Sequence, residues 1–286
     1  MKLTEYDISH PYLAKVMSSE RITDQSTDEV RHIVLSVADA TFHFLEGQSI
    51  GVLVPGPHAF GNENHLRLYS IASSRQGEGN NMTLLSLCVR RCFYIDDVSG
   101  ERYPGVASNF LCDAQPGETV QLTGPYGRQF LPPKDNNCNL LMIGVGTGIA
   151  PFRAFTKHIY EERKEWKGKV RLFYGAKTGM DMLYMNDKNG DISNYYTEDT
   201  FKAFEAISPR PHVDAPVEMD RTIKDNAKEV WDMVKDSNTY VYVSGLTDLE
   251  EQLDVTLSEM AGSEEAWEAT KLDMVKQGRW STLFYD

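Results

Sequence analysis

Long apolar runs are missing from this chain. No window of about 18 consecutive hydrophobic residues occurs in its 286, so no membrane-spanning helix is expected. The opening stretch "MKLTEYDISHPYLAK" lacks the apolar core of a secretory signal. Cysteine is scarce: Cys88, Cys92, Cys112 and Cys138 form no C-x-x-C pair and have no His-rich segment to complete a ligand set. No zinc, iron–sulfur or other metal site is therefore expected, and reduced thiols in a cytoplasmic setting are the expected state. Positive charge is also short. The formal net charge is −13, with 11 basic against 15 acidic residues up to Lys134 and 18 against 27 beyond it. That balance excludes wholesale nucleic-acid binding, and an anionic ligand must be met by a local cluster of cations.

The residues that are present divide into two patterns. The first half reads as short strands joined by Gly, Pro and Asn. "EVRHIVLSV" places Ile33, Leu35 and Val37 on one face, and "GQSIGVLVP", "RLYSIAS", "NMTLLSLCVRR" and "ETVQLTG" follow, with a short helix near "ASNFLCDA". Such spacing predicts an antiparallel barrel or sandwich. After the polar break "FLPPKDNN" the pattern changes. "NLLMIGV" is an almost unbroken apolar run, and "APFRAFTKHIYEERKEW" carries Phe152, Phe155 and Ile159 at helical spacing behind Pro151. "VRLFYGA", "TYVYVSG" and the helical "LTDLEEQLDVTLSEMAG" continue the alternation. Strand–helix alternation predicts a parallel sheet with helices on both faces. Two domains are expected, residues 1–134 and 135–286, the second of Rossmann-like α/β type.

Between the first strand and helix of the second half lies "GVGTGIAPFR", Gly144 to Arg153. Gly146 and Gly148 allow close backbone approach, and the following helix start offers unpaired N–H groups to an anion. "YGAKT" and "VSGL" stand at two further strand exits. In an open parallel sheet ligands bind beyond those exits, so a nucleotide lying across the sheet is expected.

"RLYSIASS", "LCVRRCFYIDD", "GVASNFLCD", "TGPYGRQFLP", "GVGTGIAPFR" and "VSGL" occur in one fixed order, and together they resemble the plant-type ferredoxin–NADP⁺ reductases nearly end to end. The resemblance implies an FAD-binding barrel, an NADP(H)-binding α/β domain, and a set of site residues. Tyr69 would stack on the flavin, Arg67 would meet the FAD pyrophosphate, and Ser70 would approach the flavin N5, with Leu68 between them. Cys88, Val89 and Arg90 would line the adenine and phosphate side, and Tyr94 would stack on adenine. Gly105, Val106, Ala107 and Ser108 would open a helix onto the FAD pyrophosphate. Thr147, Gly148 and Pro151 would take the NADP(H) pyrophosphate, with Gly175, Ala176, Gly245 and Leu246 at the other exits. Tyr285 would cover the second flavin face, although Asp286 follows it here.

Three departures from the family pattern stand out. Ser244 replaces a Cys and Leu283 replaces a Glu, while Pro209 splits the Ser208 and Arg210 pair expected at a 2′-phosphate, leaving Arg221 or Lys224 to supply a second charge. Ser70, Ser244 and Tyr285 are the implied catalytic positions, and NADPH is expected over NADH. The implied partner is a separate acidic carrier, ferredoxin or flavodoxin, which Arg90, Arg91, Arg128 and Lys134 would attract. A reductase feeding an oxygenase, such as one acting on aromatic CoA thioesters, and a flavin-binding module without turnover are the alternatives.

Overall fold

The computed structural model describes residues 6–57, 63–96, 98–196, 200–209 and 217–285. The N-terminal half contains strands β1 (Tyr12–Arg21), β2 (Val30–Val37), β3 (Ser49–Pro55), β4 (Asn64–Ser70) and β5 (Leu84–Arg90). A hairpin of β6 (Phe93–Ile95) and β7 (Arg102–Pro104), helix α1 (Val106–Asp113) and β8 (Thr119–Tyr126) complete it. Six strands pair antiparallel in the order β4-β3-β8-β1-β2-β5. The two ends of that sheet meet through the single antiparallel bridge Ile71↔Leu87, which closes the barrel and leaves a seam between β4 and β5. Ala14, Val16, Ile33, Leu35, Ile50 and Val52 point into its core, and Ala107, Leu111 and Cys112 of α1 plug one side. Of these strands β1 carries the weakest sequence signal, because its outward Leu13 and Met17 are exposed and blur the alternation.

The second half contains β9 (Asn139–Val145), α2 (Ile149–Lys157), β10 (Val170–Ala176), β11 (Phe201–Ile207), α3 (Met219–Asp225), α4 (Ala227–Lys235), β12 (Thr239–Leu246), α5 (Asp248–Ala261), α6 (Glu264–Lys276) and β13 (Trp280–Tyr285). Its strands are all parallel, in the order β11-β10-β9-β12-β13. The strand order therefore reverses between β9 and β12, which is where such sheets open a crevice. Leu141, Ile143, Val241 and Val243 on one face pack under α3 to α6. Leu140, Met142, Leu172 and Tyr242 on the other face share a core with Phe152 and Phe155 of α2 and with Ile22, Ala72, Cys88 and Phe130 of the first half. The long helix expected from Ala150 onward is broken. After Lys157 it widens into a π-helical turn, His158–Arg163, and ends where Lys164 turns left-handed at φ 55°.

Polar groups key the two halves together. Arg153 of α2 is 4% exposed. It donates to the Ala72 carbonyl at 2.8 Å, to Glu78 at 2.6 Å and to Asp191 at 2.7 Å. Beside it, His32 Nδ1 lies 2.9 Å from the Tyr184 hydroxyl. Burial, and then the Arg153 charge, push the His32 imidazole down from 6.5 to about 4, so the ring is neutral at pH 7 and its 3.8 Å approach to Glu78 is not an ion pair. In the unfolded chain the same ring takes a proton near pH 6.5. The stability this difference contributes is complete above pH 6.5 and falls away as the pH drops toward 4. Linkage puts the loss at ~2 kcal/mol between pH 7.5 and 5. His32→Gln, which keeps an acceptor for Tyr184, is expected to flatten that segment when urea unfolding is compared at the two pH values; an unchanged slope would show that His32 does not cause it.

Candidate functional site at the barrel seam and the sheet crevice

On the barrel side the site begins at β4. Arg67, Leu68, Tyr69 and Ser70 face Val52, Gly51, Ile50 and Ser49 of β3 in register. Tyr69 therefore shares the lumen face with Ile50, and it lies half-buried against the rim of the barrel core beside the seam. Burial raises its phenol well above the ordinary tyrosine range, which keeps it neutral. Arg67 is exposed on the same face one step outward. Across the seam, Val89 is committed to the barrel core, whereas Cys88 joins the core shared with the second half. Burial pushes the Cys88 thiol up to about 12, so it is not a nucleophile. Any ligand contact from Cys88 or Val89 must therefore come through the backbone of this edge strand.

Below the seam, α1 starts at Val106 with Gly105 as its N-cap and no side chain capping it. A Cβ on Gly105 would meet Ser108 Oγ at 3.0 Å and the Cys92 carbonyl at 3.3 Å. Ala107 and Ser108 are buried, and Ser108 Oγ accepts from the Cys92 amide at 3.1 Å. A helix start left open in this way suits an anionic group. On the neighbouring hairpin Tyr94 stacks on Tyr103, with ring centroids 5.4 Å apart and planes at 22°. In the sequence Tyr94 stands out alone; its partner ring lies nine positions further on, beyond a turn.

In the crevice the two glycines act for different reasons. Gly146 adopts φ +53° with open space around it, so there the backbone conformation demands glycine. Gly148 has ordinary helical angles, but a Cβ on it would sit 2.3 Å from the Ser244 carbonyl oxygen. The turn after β9 thus lies directly on the exit of β12. Gly175 at the β10 exit is likewise crowded, by Val217 at 2.7 Å and Val145 at 3.0 Å. Pro151 and Ala176 are buried beside these exits, and Leu246 is exposed. Ser244 is fully buried, and among the described residues its Oγ has no hydrogen-bond partner. An orphaned hydroxyl at the switch point is the kind of group a bound ligand would satisfy. Its neighbour across β12 and β13 is Leu283, so the two departures from the family pattern are one cross-strand pair.

Tyr285 joins the two sides. Its phenol oxygen accepts from Thr147 Oγ1 at 2.9 Å, and its O–H donates to the Val145 carbonyl at 3.3 Å. Burial raises this phenol to about 12, against the lowering effect of the Thr147 hydrogen bond; Cys88 of the barrel adds to the rise, and the Gly148 amide and the Arg90 charge lower it.

Comparison with known proteins agrees with this geometry. Residues 14–130 match the family model of an oxidoreductase FAD-binding domain, and residues 142–254 match that of an oxidoreductase NAD-binding domain. The ferredoxin–NADP reductase of Spirulina sp is 35% identical over 98% of this chain and 97% of its own length. The chloroplastic leaf isozyme 1 of Oryza sativa subsp. indica is 36% identical over 98% of this chain and 78% of its own. This chain belongs to the ferredoxin–NADP reductase family. The solved ferredoxin–NADP⁺ reductase of Plasmodium falciparum superimposes with a TM-score of 0.76, covering 98% of each chain at 22% identity, which speaks for the shared fold. As a member of the ferredoxin–NADP reductase family the protein is an oxidoreductase with FAD and NADP(H) as cofactors.

Other expected positions are more scattered. Ser208, at the end of β11, is buried, while Arg221 and Lys224 sit on the exposed side of α3. Both cations are already engaged, Arg221 with Glu218 at 3.0 Å and Lys224 with Glu259 at 2.8 Å. Arg210 lies outside the described residues, as does Asp286. The positive face expected for an acidic partner is weakened at two positions. Arg90 pairs with Asp28 at 2.6 Å, and Arg91 with Glu29 at 2.7 Å and Asp113 at 2.8 Å. Arg128 and Lys134 remain exposed. Among the described residues one His/Glu grouping has metal-like spacing, Glu46, His158 and Glu162, but the Arg75 guanidinium already holds Glu46 at 2.6 Å. No helix among the described residues is long and apolar enough to cross a membrane.

Proposed function

We propose that this chain holds FAD in the barrel seam and NADP(H) across the parallel sheet, and passes electrons between NADP(H) and a separate ferredoxin. The observation that carries this reading is the meeting of the two half-sites at Tyr285, whose phenol is bonded to the glycine turn and lies near the edge strand of the barrel. When bound, FAD supplies the exchange between a two-electron donor and a one-electron carrier. Residues 1–134 form the FAD unit and residues 135–286 the NADP(H) unit.

In the first unit Tyr69 offers an aromatic face to a planar ring and Arg67 a fork to phosphate oxygens, with Ser70 as the hydroxyl at the reacting edge. Tyr94 packs against the adenine, and the open start of α1 from Gly105 to Ser108 meets the pyrophosphate. In the second unit Thr147, Gly148 and Pro151 receive the nucleotide pyrophosphate, flanked by Gly175, Ala176, Gly245 and Leu246. The buried Ser244 hydroxyl hydrogen-bonds the nicotinamide end, while Leu283 beside it shields that spot from water. Ser208, Arg210, Arg221 and Lys224 recognise the 2′-phosphate, so NADPH is preferred over NADH; Arg221 and Lys224 must exchange carboxylate partners for the phosphate to do so.

The apolar Leu283 against Ser244 also favours a second client class, a flavodoxin or an oxygenase in place of ferredoxin, because the proton-handling chemistry of that pair differs from the family pattern. A cytoplasmic setting accords with the four unpaired cysteines. Anaerobic addition of NADPH to the yellow protein is the direct test. The visible flavin absorbance is expected to bleach, more slowly with NADH, and to return on adding oxidised ferredoxin, flavodoxin or oxygenase according to the true client. A colourless preparation that refuses added FAD, or a flavin that NADPH leaves oxidised, defeats the reading.

A further inference from the structure

The hairpin of β6 and β7 pairs Phe93 with Pro104, Tyr94 with Tyr103 and Ile95 with Arg102. A two-stranded ribbon this short is marginal by itself in water. Here each of its faces carries an aromatic clamp. On one face the Arg102 guanidinium lies 3.8 Å from the centre of the Phe93 ring. On the other, Tyr94 and Tyr103 stack across the two strands, and the Tyr103 hydroxyl donates to Glu101. Side chains alternate along a strand, and Gly105 is still extended at φ −63° and ψ 128°. The tyrosine face therefore continues through Cys92 and Gly105 at the base of the hairpin. There the Gly105 amide donates to the Cys92 carbonyl at 2.9 Å. A Cβ on Gly105 would lie 3.0 Å from Ser108 Oγ and 3.5 Å from Cys92 Cβ. The ring pair and the open start of α1 thus belong to one surface.

Tyr103 covers one side of the Tyr94 ring, yet Tyr94 keeps 57% of its surface exposed, so its other side is open. With centroids 5.4 Å apart the two rings leave no room for a third between them, which would need about 7 Å. We propose that Tyr103 is a positioning residue for FAD: it backs the Tyr94 ring, so that the adenine adds as the last plate of a stack, Tyr103–Tyr94–adenine, beside the helix start. The inference rests on reading Tyr94 as the adenine platform. Tyr103 does not touch the cofactor and acts through Tyr94 alone. An exposed tyrosine must give up rotamer freedom to receive a purine, and a ring already held in place by its neighbour gives up less. Glu101 tethers the far end of Tyr103, so the backing ring is itself held twice.

Flavin titrations of the full chain stripped of its cofactor test the stack. Tyr103→Ile keeps the β propensity and apolar bulk of the position but offers no plane. It is expected to raise the FAD Kd about two- to tenfold, the range one aromatic stack commands. FMN has no adenine, so its affinity should be the same in the wild type and Tyr103→Ile; a hairpin collapsed over the start of α1 would weaken both flavins. Tyr103→Phe keeps the plate and should hold FAD at the wild-type Kd. On a Tyr94→Ile background Tyr103→Ile should add little, giving a non-additive cycle. Wild-type FAD affinity in Tyr103→Ile, equal weakening of FMN, or a Tyr103→Phe variant as weak as Tyr103→Ile overturns the role of Tyr103, and the platform still stands if Tyr94→Ile weakens FAD. A Tyr94→Ile protein that binds FAD as the wild type does overturns the platform, and the stack with it.

Discussion

Gly148→Ala is expected to abolish measurable NADP⁺ binding while the protein still purifies yellow. The added methyl has nowhere to go. It would lie 2.3 Å from the Ser244 carbonyl oxygen, 2.6 Å from its carbon and 3.0 Å from the Gly245 nitrogen, all backbone atoms of the neighbouring β12 exit. Backbone cannot rotate away as a side-chain tip can, so the turn and the strand end must separate by about 1 Å to restore van der Waals contact. That displacement moves Thr147 and the helix start together, and cradles of this kind lose function over such distances. The accompanying loss of stability is expected at about 1–3 kcal/mol, the usual cost of overpacking. The three atoms nearest the added methyl all belong to β12 rather than to the barrel, so the flavin spectrum is the internal control. Calorimetric NADP⁺ titration and thermal unfolding of the variant measure both effects. Gly146→Ala is the informative companion: with open space around it and φ +53°, its cost is backbone strain of about 1–2 kcal/mol without a clash. A variant at position 148 that bound NADP⁺ normally would mean that the crevice is not where the nucleotide lies.

Much of this arrangement is legible in the sequence because its signals are local. The glycine turn, the apolar run before it and the helix after it occupy one stretch, Asn139 to Lys157, and together they predict a strand exit facing a helix start. The β4 segment likewise carries Arg67, Tyr69 and Ser70 within four residues. What stays hidden depends on residues far apart in the chain. Thr147 and Tyr285 meet across 138 positions, and neither residue type advertises the bond. Ser244 and Leu283 look like two independent departures until β12 and β13 are laid side by side. Arg90 and Arg91 read as free positive charge because Asp28 and Glu29, which neutralise them, lie 62 residues away in the chain, just before the start of the paired strand β2. The turn after Lys157 was missed for another reason: the spacing of Phe152, Phe155 and Ile159 fits an α-helix, and periodicity alone cannot register the wider turn that the chain adopts around His158.

Arg153 illustrates the same limit with the largest energetic consequence. In the sequence it is one charge on an amphipathic helix, a position where a solvated arginine is the ordinary expectation. In the structure it is buried at the junction of the two halves, with Glu78 and Asp191 as its counter-ions and the Tyr184 ring 5.0 Å from its guanidinium. The Arg153 hydrogen bond and charge, aided by Ser86, outweigh the burial that would raise the Glu78 carboxyl, and hold it down at about 2. Arg153→Met is therefore expected to destabilise the protein by about 3–5 kcal/mol, because it strands buried carboxylates without a cation. Lysine is no substitute, since a single ammonium cannot make the forked contacts to Glu78, Asp191 and the Ala72 carbonyl together. The sign of the Glu78 contribution to the pH dependence should change as well. In the wild type Glu78 adds stability that is complete above pH 4.5 and is lost as the pH falls toward 2. Without Arg153 the carboxyl is left with its burial, its pKa rises above 4.5, and mild acid should stabilise the variant by neutralising it. Adding Glu78→Gln to Arg153→Met removes one stranded charge and should recover part of the loss, giving a double variant more stable than the sum of the single changes predicts. Urea unfolding of the four proteins at pH 7.5, 5 and 3 reads out each of these effects. An Arg153→Met protein within about 1 kcal/mol of wild type would mean that the junction is held by its apolar core alone and that the charge network contributes nothing net.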